Sequence, residues 1–209
     1  MKRLARYCSL LGLCACLPSL PGCSVLAPRP DLSRFFVLVA LPGNPPAKLA
    51  SPGAGPAASL IIGLGQITMP PYLDRPQIVT RVGPDELKLS EVNRWAEPLE
   101  VNFARVLSED LVMRLGTARI CPYPWYSTTR IDYQVEVDVH RFELLASGDA
   151  ELVAHWSIVD GRGNFLYSSD AALTERVASE EAAGGSAALS RILADLSGQI
   201  ATIVRRLVE

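Results

Sequence analysis

Cysteine, histidine and strings of basic residues are all scarce in this 209-residue chain, and each shortage removes a class of function. Four of the five cysteines, Cys8, Cys14, Cys16 and Cys23, crowd into the first 23 residues, which leaves Cys121 alone in the rest. A single thiol cannot close an internal disulfide, and Cys121 reads as a small buried hydrophobe. Only two histidines occur, His140 and His155, with no His-x-x-x-His or Cys-x-x-Cys spacing, so the metal-site patterns are missing. No run of Lys or Arg could grip nucleic acid phosphates. No Walker motif and no Gly-x-Ser-x-Gly elbow appear, which argues against ATP hydrolysis or serine-hydrolase chemistry by this chain. No residue pattern calls for a cofactor, and none makes a positive case for an enzyme.

What is present begins at the N-terminus. Lys2, Arg3 and Arg6 precede an apolar stretch from Leu10 to Leu20, which ends in Leu20-Pro21-Gly22-Cys23. That stretch falls short of the roughly 20 residues a membrane-spanning helix needs. It reads as a lipoprotein signal peptide, residues 1–22, with Cys23 as the acylated first residue of the mature chain. Ser24 after the cysteine, rather than Asp, fits transfer to the outer membrane in enteric-type bacteria. Removing the signal takes three basic and no acidic residues, so the mature chain is more negative than the formal −2 of the whole. Attachment to a membrane then rests on the acyl chains, since two or three of them anchor stably where one does not.

The remaining chain of roughly 190 residues suits one domain, here expected over 34–209. Residues 23–33 form an acylated tether, whose span from 24 to 33 reaches at most roughly 35 Å. Phe35 to Leu41 predicts a first strand, and residues 42–59, rich in Pro, Gly and Ala, predict a flexible insertion. Leu60 to Met69 predicts a second strand, ended by Pro70-Pro71. Apolar residues at helical spacing from Leu99 to Leu115 predict a helix opened by Pro98 and closed by Gly116. A last helix is predicted from about Ser186, its stripe running from Leu189 to Leu207, with Arg205 and Arg206 at the favourable end. Its weakly basic polar face favours packing on a core over lying on a membrane.

Between the helices the period changes to two. Ile131, Tyr133, Val135, Val137 and Val139 alternate with polar residues, and the phase slips at Phe142 and Leu144, which predicts a bulge near His140-Arg141. Leu152 to Ile158 and Phe165 to Val177 supply two more strands around a turn at 160–164. Three antiparallel strands bracketed by helices predict an α/β fold with two main helices packed on a mixed sheet. Asp138 and His140 share one strand face, but solvated strand residues describe them better than the start of a catalytic triad. Gly63-Leu64-Gly65 lies within a predicted strand, so it marks a bulge or close contact rather than a dinucleotide loop.

The densest constellation is Pro71-Tyr72-Leu73-Asp74-Arg75-Pro76-Gln77-Ile78-Val79-Thr80-Arg81, followed by Arg94-Trp95-Ala96-Glu97-Pro98-Leu99. It joins Tyr, Trp and Arg, types enriched at interface hot spots, to prolines that pre-set the backbone. Two uses fit it: a docking surface made of Tyr72, Asp74, Arg75, Gln77, Arg81, Trp95 and Glu97, or an internal scaffold packed under the helix. On these residues, the signal and the strand of alternating valines, the chain resembles the ABC-type transport auxiliary lipoproteins, the PqiC-like family of Gram-negative bacteria. The resemblance implies an outer-membrane lipoprotein facing the periplasm, partnered with an inner-membrane system of MCE-domain proteins and often an ABC transporter. It implies movement of lipids or other hydrophobic molecules, and a sandwich similar to the N-terminal domain of the Tol-system translocation protein. No catalytic residues follow from it, and a homo-oligomer is left open. The alternative reading is a stand-alone periplasmic lipid-binding or structural lipoprotein, which needs a continuous apolar pocket.

Overall fold

The computed structural model describes residues 30–40, 60–116, 119–126, 128–178 and 182–209. The signal peptide, Cys23, most of the tether and the insertion at 42–59 lie outside them. Ser33–Glu209 is one compact unit. Its elements run β1 (Arg34–Phe36), β2 (Ile62–Thr68), β3 (Gln77–Arg81), β4 (Leu87–Trp95), α1 (Leu99–Leu115), β5 (Ile120–Pro122), β6 (Tyr133–Leu145), β7 (Asp149–Asp160), β8 (Phe165–Arg176) and α2 (Ala182–Val208). A 3-10 turn, Pro71–Leu73, follows the proline pair that ends β2.

The eight strands form one mixed sheet organised by β6. One edge of β6 pairs along nearly its whole length with antiparallel β7, which in turn pairs with antiparallel β8. The other edge takes two parallel strands in file, β2 against Tyr133–Asp138 and β3 against Leu144 and Leu145. The 3-10 turn lies between these two in sequence. Beyond β3 come β4 and the short edge strand β1, and β5 borders β2. The predicted bulge is present: the β6–β7 register slips between Val139 and Arg141.

Strand periodicity sorts the two faces. Val135, Val137 and Val139 of β6 and Leu152, Ala154, Trp156 and Ile158 of β7 are buried beneath the helices. Their alternates, including Glu136, Asp138 and His155, face the uncovered side. Helix α1 ends as its sequence predicts, with Gly116 at φ 66° and its N–H donated to Val112 O at 3.0 Å, a conformation open to glycine at little cost. Helix α2 is long and apolar enough to cross a membrane by length and composition. Instead, Leu189, Ile192, Leu193, Leu196, Ile200 and Val204 are all buried against the sheet and α1. Arg114 of α1 ties the helices together, donating to Ser197 Oγ and Ala194 O, each at 2.8 Å.

Two boundaries differ from the sequence reading for visible reasons. The first strand stops at Phe36 because the next N–H groups turn to side chains. Leu38 N–H donates to Asn102 Oδ1 at 2.9 Å, and Val39 N–H to Ser190 Oγ at 3.2 Å. The last helix starts four residues early, running through Gly184-Gly185. A Cβ on Gly185 would sit 2.7 Å from Leu144 Cδ1, so glycine lets the helix pack on β6 without displacing that side chain, despite its low helix propensity.

Candidate functional site

The two halves of the motif come together across β3 and β4. Trp95 N–H donates to Pro76 O at 2.6 Å, and Gln77 stands opposite Arg94 in the register. The halves then use their polar groups differently.

In the second half, Trp95 and Leu99 point inward and Glu97 is tied to the helix. Trp95 is 5% exposed and belongs to the core with Leu99. Glu97 accepts from Asn102 Nδ2 and pairs with Arg105 at 3.0 Å, and Arg105 reaches on to Glu109 at 3.1 Å. Asn102, fully buried, passes the connection to Leu38 through its oxygen. Ala96 N–H closes on Phe36 O at 2.9 Å. These residues splice the edge strand β1 to the start of α1.

The first half is divided. Arg81 forms an ion pair with Glu143, a carboxylate 1% exposed, and also donates to Pro84 O at 3.1 Å. Tyr72 is half-buried, its hydroxyl 3.4 Å from the carbonyl of His140 at the β6 bulge. Burial first, then the nearby Glu143 charge, pushes the Tyr72 hydroxyl up to about 12, so it serves as a hydrogen-bond donor throughout the physiological range. Tyr72, Arg81 and Glu143 thus make one polar cluster beside the break between β2 and β3. Glu143 is the member that motif reading missed. The phase slip that buries Phe142 on the helix side turns Glu143 toward the opposite face, and a carboxylate between Phe142 and Leu144 was the available signal.

Asp74, Arg75 and Gln77 are different. Asp74 is exposed, and Arg75 and Gln77 are half-exposed. Arg75 Nε is buried without a hydrogen-bond partner, and among the described residues its guanidinium has no carboxylate bound to it. The remaining donors of the guanidinium, its Nη groups, make no hydrogen bond among the described residues and are left for a partner.

The other sequence candidates lie on the open sheet face. His140 Nε2 is 3.3 Å from Asp138 Oδ2, and Asp138 accepts from Thr68 Oγ1 at 2.5 Å. That hydroxyl, helped by His140, holds the Asp138 carboxyl below the usual carboxylate range. His155 Nδ1 lies 2.8 Å from Asp170. All four side chains are well solvated, and among the described residues no serine or cysteine is hydrogen-bonded to either histidine ring. Among the described residues no group of three or more His, Cys, Asp or Glu could hold a metal ion. Gly63 and Gly65 sit within β2, not before a helix. A cleft of about 1100 Å³ opens between the β3–β4 hairpin, the β6–β7 turn and the start of α2. Apolar Ile78, Leu89 and Leu144 line it, but so do Lys88, Glu91, Asp149 and Arg176.

Comparison with known proteins gives this arrangement a family. No curated protein matches the sequence. The crystal structure of an uncharacterized protein superposes with a TM-score of 0.66 at 17% identity, covering 82% of this chain and 98% of that one. The crystal structure of protein XCC0632 from Xanthomonas campestris superposes with a TM-score of 0.62 at 17% identity, covering 80% and 92% respectively. At these identities the likeness shows a shared fold, an α/β unit with a mixed sheet under two helices. Residues 40–201, which include both halves of the motif and the whole sheet from β2 onward, match a family by sequence. The chain belongs to the family of ABC-type transport auxiliary lipoprotein components.

Proposed function

We propose that this chain is a non-catalytic accessory subunit of an MCE/ABC-type system that moves lipids or other hydrophobic solutes between the two membranes. Acyl chains on Cys23 hold it at the periplasmic face of the outer membrane. The folded unit docks an MCE-domain protein through Asp74, Arg75 and Gln77, with Tyr72 and Arg81 bracing that surface and Trp95 and Glu97 supporting it from inside. The carrying observation is the unpaired Arg75 guanidinium, held in a proline-fixed turn of the first half of the motif, whose other arginine, Arg81, is already paired. Family membership in a transport auxiliary group supports the same direction. The large cleft favours an adaptor over a lipid carrier, because four charged side chains interrupt its apolar lining.

The test is a crosslinked pull-down of tagged, full-length protein from separated membranes, comparing wild type with Cys23→Ala. Recovery of an MCE-type protein with wild type in the outer-membrane fraction is the expected result. A lipidated, folded protein that captures no such partner overturns the adaptor and leaves a stand-alone envelope lipoprotein.

A further inference from the structure

The segment that first enters the fold carries a row of apolar side chains that remain exposed to solvent. Phe36 and Leu38 turn inward, while Phe35, Val37 and Val39 turn outward and are 62%, 41% and 56% exposed. Single exposed hydrophobics are ordinary, but three successive outward positions on one edge segment are not. One cation borders the row. Arg94 stands opposite Phe35 in the β1–β4 register, its Nε buried without a hydrogen-bond partner. Arg34 belongs to the other strand face, its guanidinium over the inward Phe36 ring, 5.5 Å from the centroid. Among the described residues neither arginine has a carboxylate partner.

We infer that Phe35, Val37 and Val39 dip into the headgroup layer of the phospholipid membrane that anchors the chain, with Arg94 on its phosphates. This contact rests on the reading of Cys23 as the acylated residue. Chain length selects the occupant: residues 24–33 span at most roughly 35 Å, so β1 is the part of the fold held closest to the bilayer. Charge selects it as well. The chain as a whole is acidic, yet at this edge the Arg94 guanidinium, without a carboxylate partner among the described residues, borders apolar side chains, the combination that suits an anionic lipid surface. An aromatic and two β-branched residues are stiff and give up little rotamer entropy on insertion.

The experiment places photoreactive benzoylphenylalanine at Phe35, Val37 or Val39 of the acylated full-length protein, in vesicles of phosphatidylethanolamine and phosphatidylglycerol. The control carries it at Val101, which is 55% exposed on α1. Lipid adducts at the three positions several-fold above the control, and reduced by Arg94→Gln, are the expected result. Adducts no more abundant than at Val101, or indifferent to Arg94→Gln, overturn the contact, as does predominant crosslinking of Phe35 to another polypeptide in cells. Intact mass separates the two layers of the argument. An unmodified Cys23 overturns the anchor and this contact with it, whereas an acylated chain without adducts overturns the contact alone.

Discussion

Two arginines six residues apart in one motif meet opposite fates. Arg81 is folded over a buried carboxylate and donates to a neighbouring carbonyl, whereas the Arg75 guanidinium finds no partner within the described chain. The same contrast separates the halves of the motif: Trp95 and Glu97 are committed to the junction of β1, β4 and α1, while Asp74, Arg75 and Gln77 border solvent. Composition alone ranks these residues together, as Tyr, Trp and Arg near prolines. Partner accounting separates them. A polar group satisfied inside the fold stabilises it, and one held in place yet unsatisfied is available for recognition.

The largest effect expected from breaking this division is at Trp95. Trp95→Ala removes a core aromatic and costs about 3–5 kcal/mol, read as a lowered urea midpoint. Loss of partner capture in that variant therefore follows from loss of fold. Arg81→Ala comes next, at about 3 kcal/mol, because it strands the Glu143 carboxylate in a buried position. Adding Glu143→Leu to Arg81→Met should restore most of that stability, since the orphaned charge is gone. If the double variant is no better than Arg81→Ala, burial of Glu143 is not the origin of the cost. Asn102→Ala is smaller, about 1–3 kcal/mol, the cost of leaving the Leu38 N–H unpaired.

Below these stands an effect visible only on acidification. Asp132 accepts the Ile61 N–H at 2.9 Å and pairs with Arg130 at 2.8 Å, and the backbone bond first, then the arginine, hold its carboxyl below the usual range. A carboxyl lowered by folding contributes stability that is fully present above its unfolded pKa and lost as pH falls through the folded value. Asp132→Asn should therefore reduce stability at neutral pH and flatten the acid limb of the unfolding profile. An unchanged acid limb would detach Asp132 from the β2 entry.

How far the sequence reveals this depends on whether a residue's role is local. Helix α1 was legible because Pro98, Gly116 and the apolar spacing act within one element, and the β6 bulge because a phase slip is visible in the string itself. Strands β3 and β4 were not. Leu87–Trp95 alternates poorly, with Lys88, Leu89, Glu91 and Val92 exposed and only Trp95 fully buried. The first strand was read too long because nothing local announces that Asn102 and Ser190, far along the chain, take its N–H groups. Similarly, the motif was visible but its division was not. Arg75 and Arg81 look alike until β6 delivers Glu143 to one of them, a contact made 62 residues away.

The smallest expected change in stability therefore tests the functional reading most sharply. Arg75→Ala removes a guanidinium with no internal partner, so unfolding should shift by no more than about 0.5 kcal/mol. If Arg75 is the recognition residue, the same variant should lose most of the MCE-type partner in a crosslinked pull-down, while Arg75→Lys, lacking the planar fork, recovers only part of it. A stable Arg75→Ala protein with full capture would move the docking surface off the motif. An unstable one would mean that Arg75 holds the fold after all, and that the contrast with Arg81 is one of degree. Only a silent effect on folding joined to a large effect on capture keeps the two arginines in different roles.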